Sequence, residues 1–342
     1  MRITSTRFFI RNHLRWSAIT LALFAAGPAH ASQVWFQQPT VSIGGTFQVA
    51  KGPQPGKFSV IQWQPNPLTS NHQDVPVTWN IAKYTGLAVP APLSPNQAGT
   101  ANRIGSTGVQ MSGNTVGINI NSLDFSPTGT WGHLVGIMPN YVFPNTSYRP
   151  FAQAGTTLVF STDLQVVSAA LTPPAGAGST YTGQAYVDMD LRIIDTSHPA
   201  TPPITISVGA FAMHGAPREN VGYTSQGGGR ILLNTSISPT SRFVTPVPGT
   251  QPYQSKVWTG FRTFATGLTA ANLTNGLAAI RADSALLRSL GLTAASYSTN
   301  PADYALQEVH INSEVNYAGR NAYTGGSVQM GLAVRNILVT LQ

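Results

Sequence analysis

Glu308, His310, Asn312, Glu314 and Asn316 occupy every second position of one segment. In a β-strand all five project from the same face, because successive side chains alternate. Val309, Ile311 and Val315 fall on the opposite face, as core residues would. Two carboxylates, an imidazole and two amides in a row suit the reading of sugar hydroxyls; a plain solvated sheet face is the competing explanation. Scarcity favours chemistry, since the chain holds only three glutamates, Glu219, Glu308 and Glu314, and two of them are here. A second row, Tyr186, Asp188, Asp190 and Arg192, alternates with Ala185, Val187, Met189, Leu191 and Ile193. If the two rows share one concave face, Asp188 or Asp190 stands opposite Glu314. Two facing carboxyls are what glycoside hydrolysis requires, one protonating the leaving oxygen and the other acting as nucleophile or base. The alternative for this row is an Asp–Arg surface network.

Other chemistry is weakly supported. Gly227-Gly228-Gly229-Arg230 lacks the Lys-Ser/Thr of a phosphate loop, and no Gly-x-Ser-x-Gly elbow occurs. His72, His133, His198, His214 and His310 are too widely spaced to suggest zinc, so neither a metal nor another cofactor is implied. Trp35, Trp63, Trp79, Trp131 and Trp258 offer stacking platforms for sugar rings, or core.

The N-terminus decides the compartment. Arg2, Arg7, Arg11 and Arg15 precede an apolar run, Trp16 to Ala26, and then Ala29-His30-Ala31. Basic start, short apolar core and small-x-small site predict a cleavable secretory signal over 1–31, cut after Ala31, with the product periplasmic or secreted. The run falls short of the roughly 20 apolar residues of a membrane span, and no second long run follows. Residues 32–342 then carry fifteen basic against eleven acidic residues, a net charge of +4. The basic residues are scattered singly, which argues against nucleic acid as a partner. No cysteine is present, so disulfides and thiol chemistry are excluded.

The elements that must position these rows are mostly strands. Residues 32–150 are turn-rich, with short strand-like pieces at Val34–Phe36, Val41–Ile43, Phe47–Val49 and Asn114–Asn121. Stronger strands are expected at Thr157–Val167, Gln184–Ile194, Ile204–Ala212, Arg230–Asn234, Lys256–Phe264, Leu306–Val315 and Met330–Leu341. One helix is expected across 270–290. Leu273, Leu277, Ile280 and Leu287 make its buried stripe, Thr269 or Asn272 its cap, and Gly291 its end. The pattern predicts an all-β jelly roll or β-sandwich of antiparallel strands, one domain over 32–342, with the helix on its outer face.

The stretch 256–342 resembles the end of concanavalin-like jelly rolls, especially family-12-type glucanases and xyloglucanases. The matching pieces are Trp258 to Phe264, the 270–290 helix, Tyr304-Ala-Leu-Gln-Glu-Val309 through Glu314-Val-Asn-Tyr-Ala-Gly319, and Gly331-Leu-Ala-Val334. The resemblance implies that Glu314 is an acid/base glutamate. The nucleophile strand of that family, Glu-x-Met-x-Trp, has no counterpart; Val187-Asp-Met-Asp-Leu191 is among the nearest and holds aspartates. Three functional expectations follow. The first is binding of an extracellular polysaccharide or glycan through Glu308, His310, Asn312, Arg192 and Tyr186. The second is hydrolysis by Glu314 with Asp188 or Asp190, and the third a structural surface or pilus-like role.

Overall fold

The computed structural model describes residues 32–37, 47–51, 57–62, 77–83, 101–104, 107–112, 115–121, 133–143, 146–173, 182–213, 215–224, 229–318 and 327–342. Its strands are β1 (Gln33–Gln37), β2 (Phe47–Lys51), β3 (Lys57–Gln62), β4 (Val77–Lys83), β5 (Ala101–Ile104), β6 (Thr107–Ser112), β7 (Thr115–Asn121), β8 (His133–Val142), β9 (Thr157–Thr172), β10 (Thr182–Asp195), β11 (Ile204–Ala212), β12 (Asn220–Thr224), β13 (Arg230–Ser236), β14 (Thr245–Pro246), β15 (Arg262–Thr269), β16 (Tyr304–Ala318) and β17 (Ser327–Leu341).

They form two sheets, the jelly-roll β-sandwich that the alternating patterns predict. One has the order β14-β15-β9-β17-β7-β6-β5, with β1 also on β17; the other runs β12-β13-β11-β10-β16-β8-β4-β3-β2. Nearly all neighbours are antiparallel, with one departure from the expected pattern: β13 lies parallel to β11, Ile204 opposite Ile231. That pairing inserts β13 between β11 and β12.

Each inner face supplies the core. Ala185, Val187, Met189, Leu191 and Ile193 of β10 are fully buried, as are Val309, Ile311 and Val315 of β16. Opposite them stand Leu158, Phe160 and Leu164 of β9 and Met330, Val334 and Val339 of β17, all in one cluster. β17 has β9 along one edge and, on the other, β7 beside Gln329–Val334 and β1 beside Leu338–Leu341.

The expected helix divides in two. α1 (Ala270–Ala282) ends where the Asp283 carboxylate accepts from the Leu286 N–H and caps α2 (Ser284–Ser289). Thr269 caps α1 through a reciprocal box with Asn272, and Gly291, at φ +70°, follows α2. The stripe Leu273, Leu277, Ile280 and Leu287 is buried as expected. It does not sit on an outer face: Gly276 meets Leu233, on the core-lining side of β13, where an added Cβ would lie 2.5 Å from Cδ1. We therefore expect Gly276→Val to cost about 2 kcal/mol through overpacking, while Thr274→Ala, on the exposed side, leaves thermal unfolding unchanged.

The strand expected from Lys256 begins only at Arg262. Upstream, Trp258 is pinned by its backbone N–H on the Val166 carbonyl and its indole N–H on the Leu164 carbonyl, and Gly260 turns the chain at φ +73°.

Candidate functional site

The two polar rows meet on adjacent strands of one face. β10 and β16 pair antiparallel with Tyr186 opposite Glu314, Asp188 opposite Asn312, Asp190 opposite His310 and Arg192 opposite Glu308. The rows thus form a four-rung ladder on the side of the sheet away from the core. Neither aspartate stands directly across from Glu314, correcting that expectation: Tyr186 takes the place, and Asp188 is the diagonal neighbour, about 7–8 Å away by ordinary sheet geometry. The β-bulge beside Val187 lies on the β11 side, so the β10–β16 alternation is preserved over these rungs.

The ladder is not a solvated face. His310 is 2% exposed, Glu314 3% and Asp190 4%. Such burial requires paired charges, and the pairs are present. An Arg192 guanidinium nitrogen lies 2.8 Å from Glu308 Oε2. His310 bridges two carboxylates, Nδ1 at 3.0 Å from Glu308 Oε1 and Nε2 at 2.7 Å from Asp190 Oδ2. These are close ionic contacts rather than well-aligned hydrogen bonds. Farther along, the Asn312 amide donates to Glu314 Oε2 at 2.8 Å.

Electrostatics separates the carboxyls. Burial works against ionised Glu308, but the close His310 contact and the charges of His310, Arg192 and Arg230 hold it down to about 2. Burial pushes Glu314 up to about 7; hydrogen bonds from Tyr186 and Asn312 resist, and the Asp190 charge adds to the rise. Asp188 is raised well above the usual carboxylate range by burial, then by the charges of Asp190 and Glu314, against hydrogen bonds from Asn312 and Ser207. Burial disfavours the His310 imidazolium, yet Asp190 and Glu308 together lift it to about 9. At neutral pH the ladder therefore combines ion pairs at the Arg192–His310 end with proton-retaining carboxyls at the other.

Six buried side-chain oxygens among the described residues have no hydrogen-bond partner; three lie on the ladder, Asp190 Oδ1, Asn312 Oδ1 and Glu314 Oε1, and another, Thr205 Oγ1, lies beside Arg192 on β11. Buried acceptors of this kind are rare in folded proteins and each calls for a cause. No group of three or more His, Asp or Glu among the described residues is arranged to hold a metal ion.

Two contributors were missed in the sequence. Ser207 bonds to Asp188, and the alternation of β11 already placed Thr205, Ser207 and Gly209 on one face. Arg230, noted only as the end of a glycine loop, acts on both Glu308 and Glu314; nothing local in the sequence marks it. Of the tryptophans, Trp35 and Trp258 are buried core. Trp63 and Trp131 lie outside the described residues, as do the side chains of Trp79 and Asn316.

No helix among the described residues is long and apolar enough to cross a membrane. No family model matches the chain, and no curated protein does. Among solved structures, it is similar to a loop-swap mutant of the xylanase Xyn11A of Necallimastix patriciarum, at 10% identity and TM-score 0.34, covering 84% of this chain and 100% of that one. The family 11 xylanase from Neocallimastix patriciarum gives 10% identity, TM-score 0.27 and coverage of 89% and 98%. A cellulase derived from Cel12A of Rhodothermus marinus gives 10%, 0.30, 83% and 92%. At these TM-scores the likenesses bear on nothing in the chemistry of this chain.

Proposed function

We propose that the chain is an exported glycan-binding β-sandwich whose ligand face is the β10–β16 ladder. The observation that carries this reading is the set of buried, unpartnered polar oxygens on consecutive rungs, Asp190 Oδ1 and Asn312 Oδ1 as acceptors and Glu314 Oε1 on a carboxyl that keeps its proton. A hydroxyl both donates and accepts, so a hydroxyl-rich ligand can partner all of them, and a buried polar group left without a partner costs about 1–3 kcal/mol. Export rests on the signal-like residues 1–31.

A second reading, hydrolysis, draws on Glu314. A carboxyl raised to about 7 retains its proton near neutrality and suits general-acid donation to a glycosidic oxygen. Asp188 or Asp190 would be the second carboxyl. Asp190 is the one paired with the His310 imidazolium, whereas Asp188 is driven toward its protonated form.

One experiment separates the readings. The purified protein and Glu314→Gln are incubated with β-glucans and xyloglucan while retention and reducing-end release are both measured. Binding without release is the expected result. Release that disappears in Glu314→Gln establishes hydrolysis instead, and neither retention nor release rejects both.

A further inference from the structure

The ladder faces away from the core, yet Asp188, Asp190, His310 and Glu314 are each no more than 9% exposed. A polar face turned from the core is sealed by other parts of the chain laid across it. On the β11 side that cover includes residues 215–219.

Gly209 of β11 is the cross-strand neighbour of Asp188. A Cβ built on Gly209 would lie 2.7 Å from Pro217 Cγ and 3.0 Å from Cδ, so the proline ring rests directly on the glycine. Beside it, Tyr253 stands close enough to Asp188 to feel its charge.

This strap is pinned at its two ends and loose between them. At one end the Tyr253 hydroxyl donates to the Ala212 carbonyl at 2.8 Å and is hydrogen-bonded by the Gly215 backbone. At the other, Glu219 accepts from Arg242 N at 2.7 Å, Arg242 Nε at 3.0 Å, Ser241 at 3.0 Å and Thr235 at 3.2 Å. Between the pins, Ala216, Pro217 and Arg218 make no hydrogen bond among the described residues. Gly215, Ala216 and Arg218 are exposed, and only Pro217 is half-buried. Gly215 sits at φ +118° with nothing within 4 Å of its Cβ position, a conformation open to glycine and free to turn. A segment with exposed backbone and one apolar contact opens far below the cost of global unfolding.

We infer that residues 215–219 form a latch, with Pro217 seated on Gly209, that closes the Asp188 end of the ladder and lifts to admit a glycan. The inference rests on the glycan-binding reading for what enters, and it supplies the entrance to a face that is sealed while the latch is shut. Gly209 is then a seat: any side chain there would hold Pro217 off the sheet.

Two measurements test the latch, one of them without any glycan. The chain has no cysteine, so an engineered thiol is alone. In Asp188→Cys the new thiol lies beneath the strap. Its labelling by a small maleimide should outpace global unfolding, and adding Pro217→Gly should speed it about tenfold, the worth of one half-buried ring. If Asp188→Cys has unfolded by circular dichroism, Ser207→Cys, next on the same face of β11, takes its place. Labelling no faster than global unfolding, or unmoved by Pro217→Gly, overturns the latch.

The second measurement locks it. Gly209→Cys/Pro217→Cys places two thiols within reach of a disulfide, and failure of that bond to form contradicts the seat. Reduced, the double variant should be retained by β-glucan or xyloglucan as wild type is. Oxidised, it should lose retention about tenfold or more, because the open form is no longer populated. Equal retention in both redox states shows that glycan enters elsewhere and overturns the entrance. Absence of retention in wild type and both forms rejects the glycan reading itself, while the labelling rates still decide whether the strap lifts.

Discussion

Glu308→Leu is expected to destabilise the protein by about 3–5 kcal/mol and to lower its melting temperature by roughly 10 °C. Glu308 is the anion between two cations, 2.8 Å from Arg192 and 3.0 Å from His310, all three largely out of solvent. Removing it strands a buried guanidinium and leaves His310 with Asp190 alone. The cost is that of the uncompensated charge and not the net worth of the ion pairs, which desolvation largely offsets. The double variant Arg192→Met/Glu308→Leu should therefore recover more than half of the loss. Denaturant unfolding of the wild type, both single variants and the double closes the cycle. A Glu308→Leu protein within about 0.5 kcal/mol of wild type would mean that water reaches the ladder freely.

Stability should peak near pH 4 to 5 and decline toward pH 9. On the acid side, Glu308 has a folded value of about 2 against an ordinary 4.5. Its contribution is complete above 4.5 and is lost as pH falls toward 2. Asp195 and Glu219 act in the same sense. Burial opposes their ionisation, but hydrogen bonds from Ser298, Ser197 and His198 in one case, and Arg242, Ser241 and Thr235 in the other, lower both.

On the alkaline side the sign reverses. Glu314 is raised from 4.5 to about 7, so the unfolded chain releases that proton first and stability falls across this interval, by about 3 kcal/mol. His310 is raised from 6.5 to about 9; its contribution is full below 6.5 and disappears as pH climbs to 9. Melting temperatures from pH 3 to pH 9 should show both declines, and Glu314→Gln should shrink the earlier one, leaving the share that the raised Asp188 contributes, while keeping the later. A flat profile between pH 5 and pH 9 would contradict the burial of both groups.

The rows were legible because polarity alternates sharply within them: a single residue of slippage in Ala185–Ile193 would carry five apolar side chains out of the core. What could not be read was their union. β10 and β16 are separated by more than a hundred residues, and no local signal states that Arg192 faces Glu308 or that Tyr186, not an aspartate, faces Glu314. Burial was equally hidden, since polar residues at alternating positions look the same in sequence whether wet or enclosed. The helix stripe was correct to the residue. Its interruption at Asp283 was missed because a capping aspartate and an ordinary surface aspartate differ only in the backbone around them. Lys256–Phe264 misled through β-forming residues; Trp258 there anchors a loop, and Gly260 supplies the turn.

β17 is the strand latest in sequence and yet a middle strand of its sheet, with β9 on one edge and β7 and β1 on the other. Gln33 pairs with Leu341, and Gln329 with Asn121. Until β17 emerges from the ribosome, β9 and β7 have no strand to join them and β1 has no place to dock. Contacts so distant along the chain close slowly, and a sheet lacking its middle leaves strand edges open to other chains. The same arrangement holds back the closed sandwich until β17 itself has been synthesised, so that the earlier strands wait as partners for a segment that comes more than a hundred and fifty residues after β9.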